Sequence, residues 1–231
     1  MKNMEKIAIV TGSSGNLGKA VVERFITGGY KVIGTDQESP QQPAFGDAFE
    51  KVVTDLTNEA DTAAFVGSVI EKYRNIDAAV LTVGGFAMGK VSDTSTAGMQ
   101  EQYKLNFETA YNVARPVFAQ MMKQNHGRIF LIGSRAGLNS KDGQGSVAYS
   151  LSKSLIFRLA EMLNLEAKGN NVVTSVVVPS TIDTPQNRKG MPEADFSKWV
   201  KATEIAEVIF NYTLPESAVL REPIIKTYGN A

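Results

Sequence analysis

The sequence predicts a doubly wound α/β domain, a parallel sheet of about seven strands with helices on both faces. Two observations carry that expectation. Short β-branched runs alternate with longer segments whose apolar residues recur at helical spacing. The first such run also ends in a glycine-rich turn that opens directly into a helical pattern. The 231 residues suffice for one well-buried core, and no linker, low-complexity tract or repeat divides them. The span 1–231 therefore reads as a single domain.

Lys6–Thr11 is apolar and bounded by glycine, the pattern of a buried parallel strand. Gly15–Gly28 places Leu17, Ala20, Val21, Phe25 and Ile26 at helical spacing. Tyr30–Thr35 is a second strand and Lys51–Thr54 a short third. Glu59–Tyr73 is helical, with Ala63, Val66, Ile70 and Tyr73 on its apolar stripe. Asp77–Val83 is the fourth strand. Met99–Met122 reads as a long helix, and Pro116 inside it predicts a kink or a break. Arg128–Ile132 is the fifth strand, Val147–Ala167 a helix, and Val172–Val178 a sixth strand ending at Pro179. Thr203–Tyr212 is helical and Pro223–Thr227 is the seventh strand. Two irregular segments, Gln37–Gly46 and Ser180–Ser197, follow strands, so both are expected beyond the carboxyl edge of the sheet, where ligands bind.

Composition narrows the function classes. The formal net charge is zero, which offers no electrostatic capture of nucleic acid or of an anionic membrane. With no cysteine there is no disulfide framework, thiolate metal site or cysteine nucleophile. The single histidine, His126, argues against a histidine-built metal site or a Ser-His-Asp triad, so no metal is expected. Its place before Gly127 suggests a helix C-terminal cap. No apolar run reaches membrane-spanning length. Lys6–Val10 already reads as a strand, so no signal peptide is expected and a cytoplasmic location follows.

The turn Thr11-Gly-Ser-Ser-Gly-Asn-Leu-Gly18 carries the first chemistry. Gly12 permits the tight turn, Gly15 lets backbone approach a pyrophosphate, and Gly18 lets helix and strand pack closely. The helix N-terminus adds amide donors and a favourable dipole for phosphate. Ser14, Asn16 and Leu17 belong to the same turn. Asp36 ends the second strand, where a carboxylate accepts both hydroxyls of an adenosine ribose and repels a 2′-phosphate. No arginine follows at once, so NAD(H) is expected over NADP(H). Asp55 and Leu56 either meet the adenine edge, or Asp55 caps the following turn. Thr82-Val83-Gly84-Gly85 brings flexible backbone toward the same cofactor.

Tyr149 and Lys153 stand four residues apart, on one face of the expected helix. A phenol has an ordinary pKa of about 10. Two unit charges about 5 Å apart at an effective dielectric of about 20 attract by roughly 3 kcal/mol, enough to bring the phenol down toward 8. A second cation, such as an oxidised nicotinamide, brings it closer to 7, where general acid–base catalysis works best.

Three matches occur in order: Thr11-Gly-x-x-Gly-x-x-Gly18, Gly133-Ser134-Arg-Ala-Gly137 and Tyr149-x-x-x-Lys153. Together they resemble the short-chain dehydrogenase/reductase family over nearly the whole chain. The resemblance implies a Rossmann-type domain and interconversion of alcohols and carbonyls with NAD(H) or NADP(H). It assigns the catalytic proton to Tyr149, support of its pKa and of the nicotinamide ribose to Lys153, and a hydrogen bond to the substrate oxygen to Ser134. Asn106 matches the family asparagine and is expected to hold a water between Lys153 and solvent. Thr184 falls where family members contact the nicotinamide carboxamide, with a backbone contact from Ile182.

The segment from Thr181 to Trp199 is similar to dihydropteridine reductases, as is Val83-Gly-Gly-Phe86, so a substrate loop is expected at about 180–199. Asn187, Arg188, Met191, Phe196 and Trp199 are candidates for a lid over the substrate, with Trp199 equally a packing residue. Ser134 and Asn106 depart from the vertebrate-type pteridine enzymes and favour a carbonyl substrate. Asn16 stands where the commonest family pattern has glycine, and Thr82-Val83 replaces the usual Asn-Ala. The reading is an NAD(H)-dependent oxidoreductase for a small carbonyl or alcohol. Its alternatives are reduction of quinonoid dihydropterin and non-catalytic dinucleotide sensing. Leu151, Leu155, Ile156, Phe157, Leu159, Leu163 and Leu165 cover more than one face of their helix. A homodimer or homotetramer is expected through that helix and the one carrying Asn106.

Overall fold

The structure is a computed structural model that describes residues 5–38 and 45–230. Its strands in chain order are β1 (Lys6–Thr11), β2 (Tyr30–Asp36), β3 (Phe49–Val53), β4 (Ala78–Leu81), β5 (His126–Ile132), β6 (Asn171–Pro179), β7 (Ile182–Asp183), β8 (Val200–Lys201) and β9 (Ile224–Thr227). Seven of them form one sheet in the order β3-β2-β1-β4-β5-β6-β9, and every pairing in it is parallel. β7 and β8 pair separately as a short parallel ladder. The strand order reverses between β1 and β4, which opens a crevice at their carboxyl ends.

Strand alternation builds two cores, one on each face. Ile7 and Ile9 point to the face covered by α2 (Glu59–Tyr73), α4 (Thr109–Gln124) and α6 (Val147–Glu166). Ala8 and Val10 point to the other, covered by α1 (Asn16–Thr27) and α8 (Ala202–Asn211). On that second face Phe210 of α8 meets Phe25 of α1 edge-on, with ring centroids 5.5 Å apart. The Arg24 guanidinium lies over the Phe210 ring and pairs with Glu207.

The structure departs from the sequence expectations at definite places. β3 begins at Phe49, two residues before Lys51, because the buried Phe49 ring joins the core that α1 covers. Pro116 does not interrupt α4, which runs unbroken through it. The interruption of the long helix lies upstream, where α3 (Thr96–Tyr103) passes through a π-helical turn at Lys104–Glu108 before α4. His126 is not the helix cap. That role falls to Asn125, in the left-handed conformation at φ +59°. His126 opens β5 instead, its Nε2 3.2 Å from Asp77 Oδ1.

Ser180–Ser197 is more ordered than expected, containing β7 and the short helix α7 (Pro185–Gly190). A further short helix, α5 (Arg135–Leu138), follows β5. Residues 39–44 of the expected irregular segment Gln37–Gly46 lie outside the described residues. Among the described residues no helix is long and apolar enough to cross a membrane.

Candidate active site

The crevice at the β1/β4 switch is built from backbone. Gly12 turns the chain out of β1 at φ +63°, a conformation that side-chain-bearing residues rarely adopt. A Cβ there would stand 2.9 Å from Thr82 Oγ1. That hydroxyl donates to the Thr11 carbonyl at 2.7 Å, so the loop after β4 closes on the turn after β1. A Cβ on Gly18 would overlap the Gly12 carbonyl oxygen, which makes close packing of α1 on β1 depend on glycine. α1 is capped by Gly15, which offers no side-chain acceptor. The amides of Asn16, Leu17 and Gly18 therefore have no intrahelical partner and suit a phosphate. Leu17 takes part through its backbone, since its side chain is buried in the core.

Asp36 faces this turn. Its carboxylate accepts from Ser13 Oγ at 2.6 Å, from the Ser14 amide at 3.0 Å and from Ser14 Oγ at 3.0 Å. Lys51 lies 3.2 Å from it and donates to Ser14 Oγ at 2.8 Å. Sequence reasoning missed Ser13 and Lys51. The available signal was strand parity: Phe49 and Lys51 share a face, and a lysine on a buried face requires a counter-ion.

Asp55 is exposed and turns on Thr57, accepting from its amide at 2.9 Å and its hydroxyl at 2.7 Å. Those bonds hold its carboxyl below the usual range. This is the turn-capping alternative, while Asn58 caps α2 itself. Leu56 is buried, and its carbonyl accepts from Asn112 Nδ2.

The loop Val83-Gly84-Gly85 is clamped by Asn106. The Asn106 Oδ1 accepts from the Gly85 amide at 3.0 Å, and Nδ2 donates to the Gly85 carbonyl at 3.0 Å and to Gln102 Oε1 at 3.1 Å. The buried side chain clamps the loop through both backbone groups of Gly85. A Cβ on Gly84 would fall 2.7 Å from Asn106 Oδ1 and 3.1 Å from Lys153 Nζ, so all three meet at one point.

Lys153 is buried in α6, and its ammonium donates to the Ile132 carbonyl at 2.8 Å. Burial lowers its pKa to about 8. One turn earlier, burial raises the Tyr149 phenol, and the nearby Ser134 hydroxyl only partly offsets that. The sequence expectation was the reverse, a phenol lowered by Lys153. In the structure desolvation of the buried phenol is the larger effect. Ser134 caps α5 by accepting from the Gly137 amide at 3.0 Å, which leaves its own proton free to donate. The Phe86 ring meets the Tyr149 ring edge-on at 5.0 Å, a contact that sequence reasoning did not find.

The segment after β6 closes largely on itself. Thr184 Oγ1 caps α7 through the Asn187 amide at 3.1 Å, and Asn187 Nδ2 donates to the Ile182 carbonyl at 2.8 Å. Arg188 pairs with Asp183 at 2.6 Å and lies over Phe196, which packs on Trp199 with centroids 4.7 Å apart. Met191 is exposed. The structure thus joins the turn after β1, Asp36, the loop after β4, Asn106 and Lys153 through direct contacts, and Phe86 with Tyr149. Ile182 and Thr184 make their hydrogen bonds within their own segment.

The family model described as short chain dehydrogenase matches residues 6–194. An acetoacetyl-CoA reductase of Acinetobacter sp. (strain RA3849) is 31% identical over 190 residues, covering 78% of this chain and 76% of that protein. A dihydropteridine reductase of Dictyostelium discoideum is 28% identical over 214 residues, covering 91% of this chain and 88% of that protein. The ligand-free aldohexose dehydrogenase of Thermoplasma acidophilum superposes with a TM-score of 0.85 over 98% of this chain and 94% of that one, at 23% identity.

The buried lysine has a consequence for stability. Below pH 8 it is charged in the folded and the unfolded chain, and burying the charge costs stability. Between about pH 8 and its ordinary value of 10.5 the unfolded chain holds a proton that the folded chain has released, so stability rises with pH. Urea unfolding of wild type and Lys153→Met should show the difference, wild type minus variant, growing by about 2 kcal/mol from pH 7 to pH 10. A difference independent of pH would contradict the buried ammonium.

Proposed function

Because this chain belongs to the short-chain dehydrogenase family, we propose that it is an NAD(H)-dependent oxidoreductase that transfers a hydride between nicotinamide and a small carbonyl or alcohol, with Tyr149 as general acid and base. The observation that carries this reading is Tyr149 on α6, one turn before the buried ammonium of Lys153, with the Ser134 hydroxyl fixed as the cap of α5. When bound, the nicotinamide supplies or accepts the hydride at the substrate carbon. The residues of the chain do the rest.

Tyr149 holds its proton in the free protein because burial disfavours the phenolate. It gives that proton to the substrate oxygen as negative charge develops there, and recovers one in the reverse direction. The free Ser134 proton donates to the same oxygen from a fixed helix cap. The Lys153 cation favours the phenolate left behind, and Asn106 holds the loop after β4 against the site. The amides of Asn16, Leu17 and Gly18 take the pyrophosphate, with Gly12, Ser14 and Gly15 shaping the turn. Val83, Gly84 and Gly85 border the nicotinamide half, together with Ile182 and Thr184. Asp55 holds the turn before α2, and the Leu56 backbone beside it borders the adenine. The loop at about 180–199 covers the substrate.

Asp36 sets the preference for NAD(H) by accepting the ribose hydroxyls in place of the Ser13 and Ser14 hydroxyls it now binds. The protein works as a cytoplasmic homodimer or homotetramer on a small molecule. Leu151, Leu155, Met162 and Leu165 of α6 are exposed, as are Tyr103 and Tyr111 of the helix carrying Asn106, and these form the subunit contact.

One observation favours a second reading, reduction of quinonoid dihydropterin. The Dictyostelium dihydropteridine reductase is 28% identical over 91% of this chain, a span that takes in the Thr181–Trp199 segment. Ser134 weighs the other way, because a conjugated ring needs no oxyanion donor.

Following NADH absorbance with ketones, aldehydes and quinonoid dihydropterin separates the two readings. In that assay Tyr149→Phe should lose about 100-fold or more in kcat on a carbonyl, with NADH binding within about threefold of wild type. Retained carbonyl turnover sinks the proposed acid. Asp36→Ala should weaken NADH by about tenfold in Kd and tighten NADPH, because the repulsion of a 2′-phosphate is removed. A wild type that prefers NADPH contradicts the role given to Asp36. Light scattering at working concentration should return a dimer or tetramer mass, and a monomer mass overturns the oligomer.

A further inference from the structure

We propose that Lys51 is a specificity-determining residue of the nucleotide site. Its ammonium offsets Asp36 and keeps the site open to a dinucleotide phosphorylated on the adenosine ribose. The inference rests on the dinucleotide-binding reading above and refines it: NAD(H) is preferred, but by a narrow margin.

The argument begins in the sheet. Lys51 of β3 stands beside Gly34 of β2 in register, and Asp36 lies two residues further along β2. A Cβ on Gly34 would stand 2.6 Å from Ser13 Oγ and 2.7 Å from the Phe49 ring, so β2 and β3 pack closely here under the turn after β1. The Lys51 side chain is only 3% exposed, so the sheet, and not solvent, decides where the charge sits. The ammonium ends 3.2 Å from Asp36 and 2.8 Å from Ser14 Oγ. Ser14 bonds to Asp36 through both its amide and its hydroxyl.

A lone carboxylate at the end of β2 excludes a ribose phosphate by repulsion and rewards free ribose hydroxyls. Neither effect has full strength here. The charge of Asp36 is balanced by a cation delivered from the neighbouring strand. Its lone pairs are also shared among Ser13, Ser14 and Lys51 before any ribose arrives. A 2′-phosphate in this corner meets the Lys51 field and competes with Asp36 for the amide and hydroxyl donors of Ser14. Asp36 supplies the repulsion and Lys51 limits it. Discrimination is therefore a property of the pair.

The test is equilibrium titration of the full chain with NADH and with NADPH, read by cofactor fluorescence, for wild type, Lys51→Gln and Lys51→Arg. Glutamine keeps a donor to Asp36 and removes the charge, while arginine keeps the charge. Wild type should bind NADPH no more than about tenfold more weakly than NADH. Lys51→Gln should weaken NADPH by about tenfold or more while NADH stays within about threefold, and Lys51→Arg should restore NADPH to within about threefold of wild type. Equal weakening of both dinucleotides by Lys51→Gln, or no change in either, overturns the proposal. So does an arginine variant that behaves like the glutamine one. Should Lys51→Gln fail to fold, the wild-type ratio decides: NADPH weaker by more than about tenfold overturns it. Wild type that binds neither dinucleotide overturns the nucleotide-binding reading itself, an outcome distinct from a loss of selectivity.

Discussion

The ammonium of Lys153, held against the Ile132 carbonyl, is the constraint around which the site is arranged. A buried charge is costly unless its donors are met. Here one donor is met by the last residue of β5, so α6 must lie where it does relative to the sheet. The charge also reserves space on its other side. Gly84 cannot carry a side chain because Lys153 and Asn106 already occupy that volume. Asn106 in turn binds both backbone groups of Gly85, so the loop after β4 is positioned by a residue of the long helix. A single buried cation thereby links two strand ends, a loop and two helices.

The phenol one turn before Lys153 shows why residue spacing alone misjudges a pKa. Four-residue spacing puts Tyr149 and Lys153 on one face, and Coulomb attraction then argues for a lowered phenol. Burial acts on both groups at once, and it opposes charge on each of them. The free protein therefore holds a neutral phenol beside an ammonium whose proton is more easily lost than that of an ordinary lysine. This state suits a proton donor, and the arrival of positive charge nearby is what favours the phenolate.

Much of the fold was legible because parallel strands buried on both faces leave unbroken β-branched runs, as at Lys6–Thr11 and Val172–Val178. The glycine turn and the Ser134, Tyr149 and Lys153 positions were legible for a similar reason, since each demands a particular residue type at a fixed offset. What escaped depends on contacts between segments distant in sequence. Lys51 meets Asp36 only through strand register, and Phe86 meets Tyr149 only through the path of a loop. Pro116 misled because a proline costs a helix one hydrogen bond, while the flanking apolar residues of α4 still pack in the core. His126 misled because the residue before it supplies the left-handed cap.

The π-helical turn at Lys104–Glu108 works as a phase setting for the long helix. Such a turn holds one residue more than an α-helical turn accommodates, and each helical residue advances the face by about 100°. Upstream of the turn Gln102 points at Asn106, and downstream Asn112 reaches the carbonyl of Leu56. Those two appointments belong to different angular settings of one rod, and the extra residue reconciles them. Helix length in this stretch is therefore a rotational coordinate. Shortening it by one residue would swing the Gln102 half away from the loop after β4 while the Asn112 half stayed docked on the sheet.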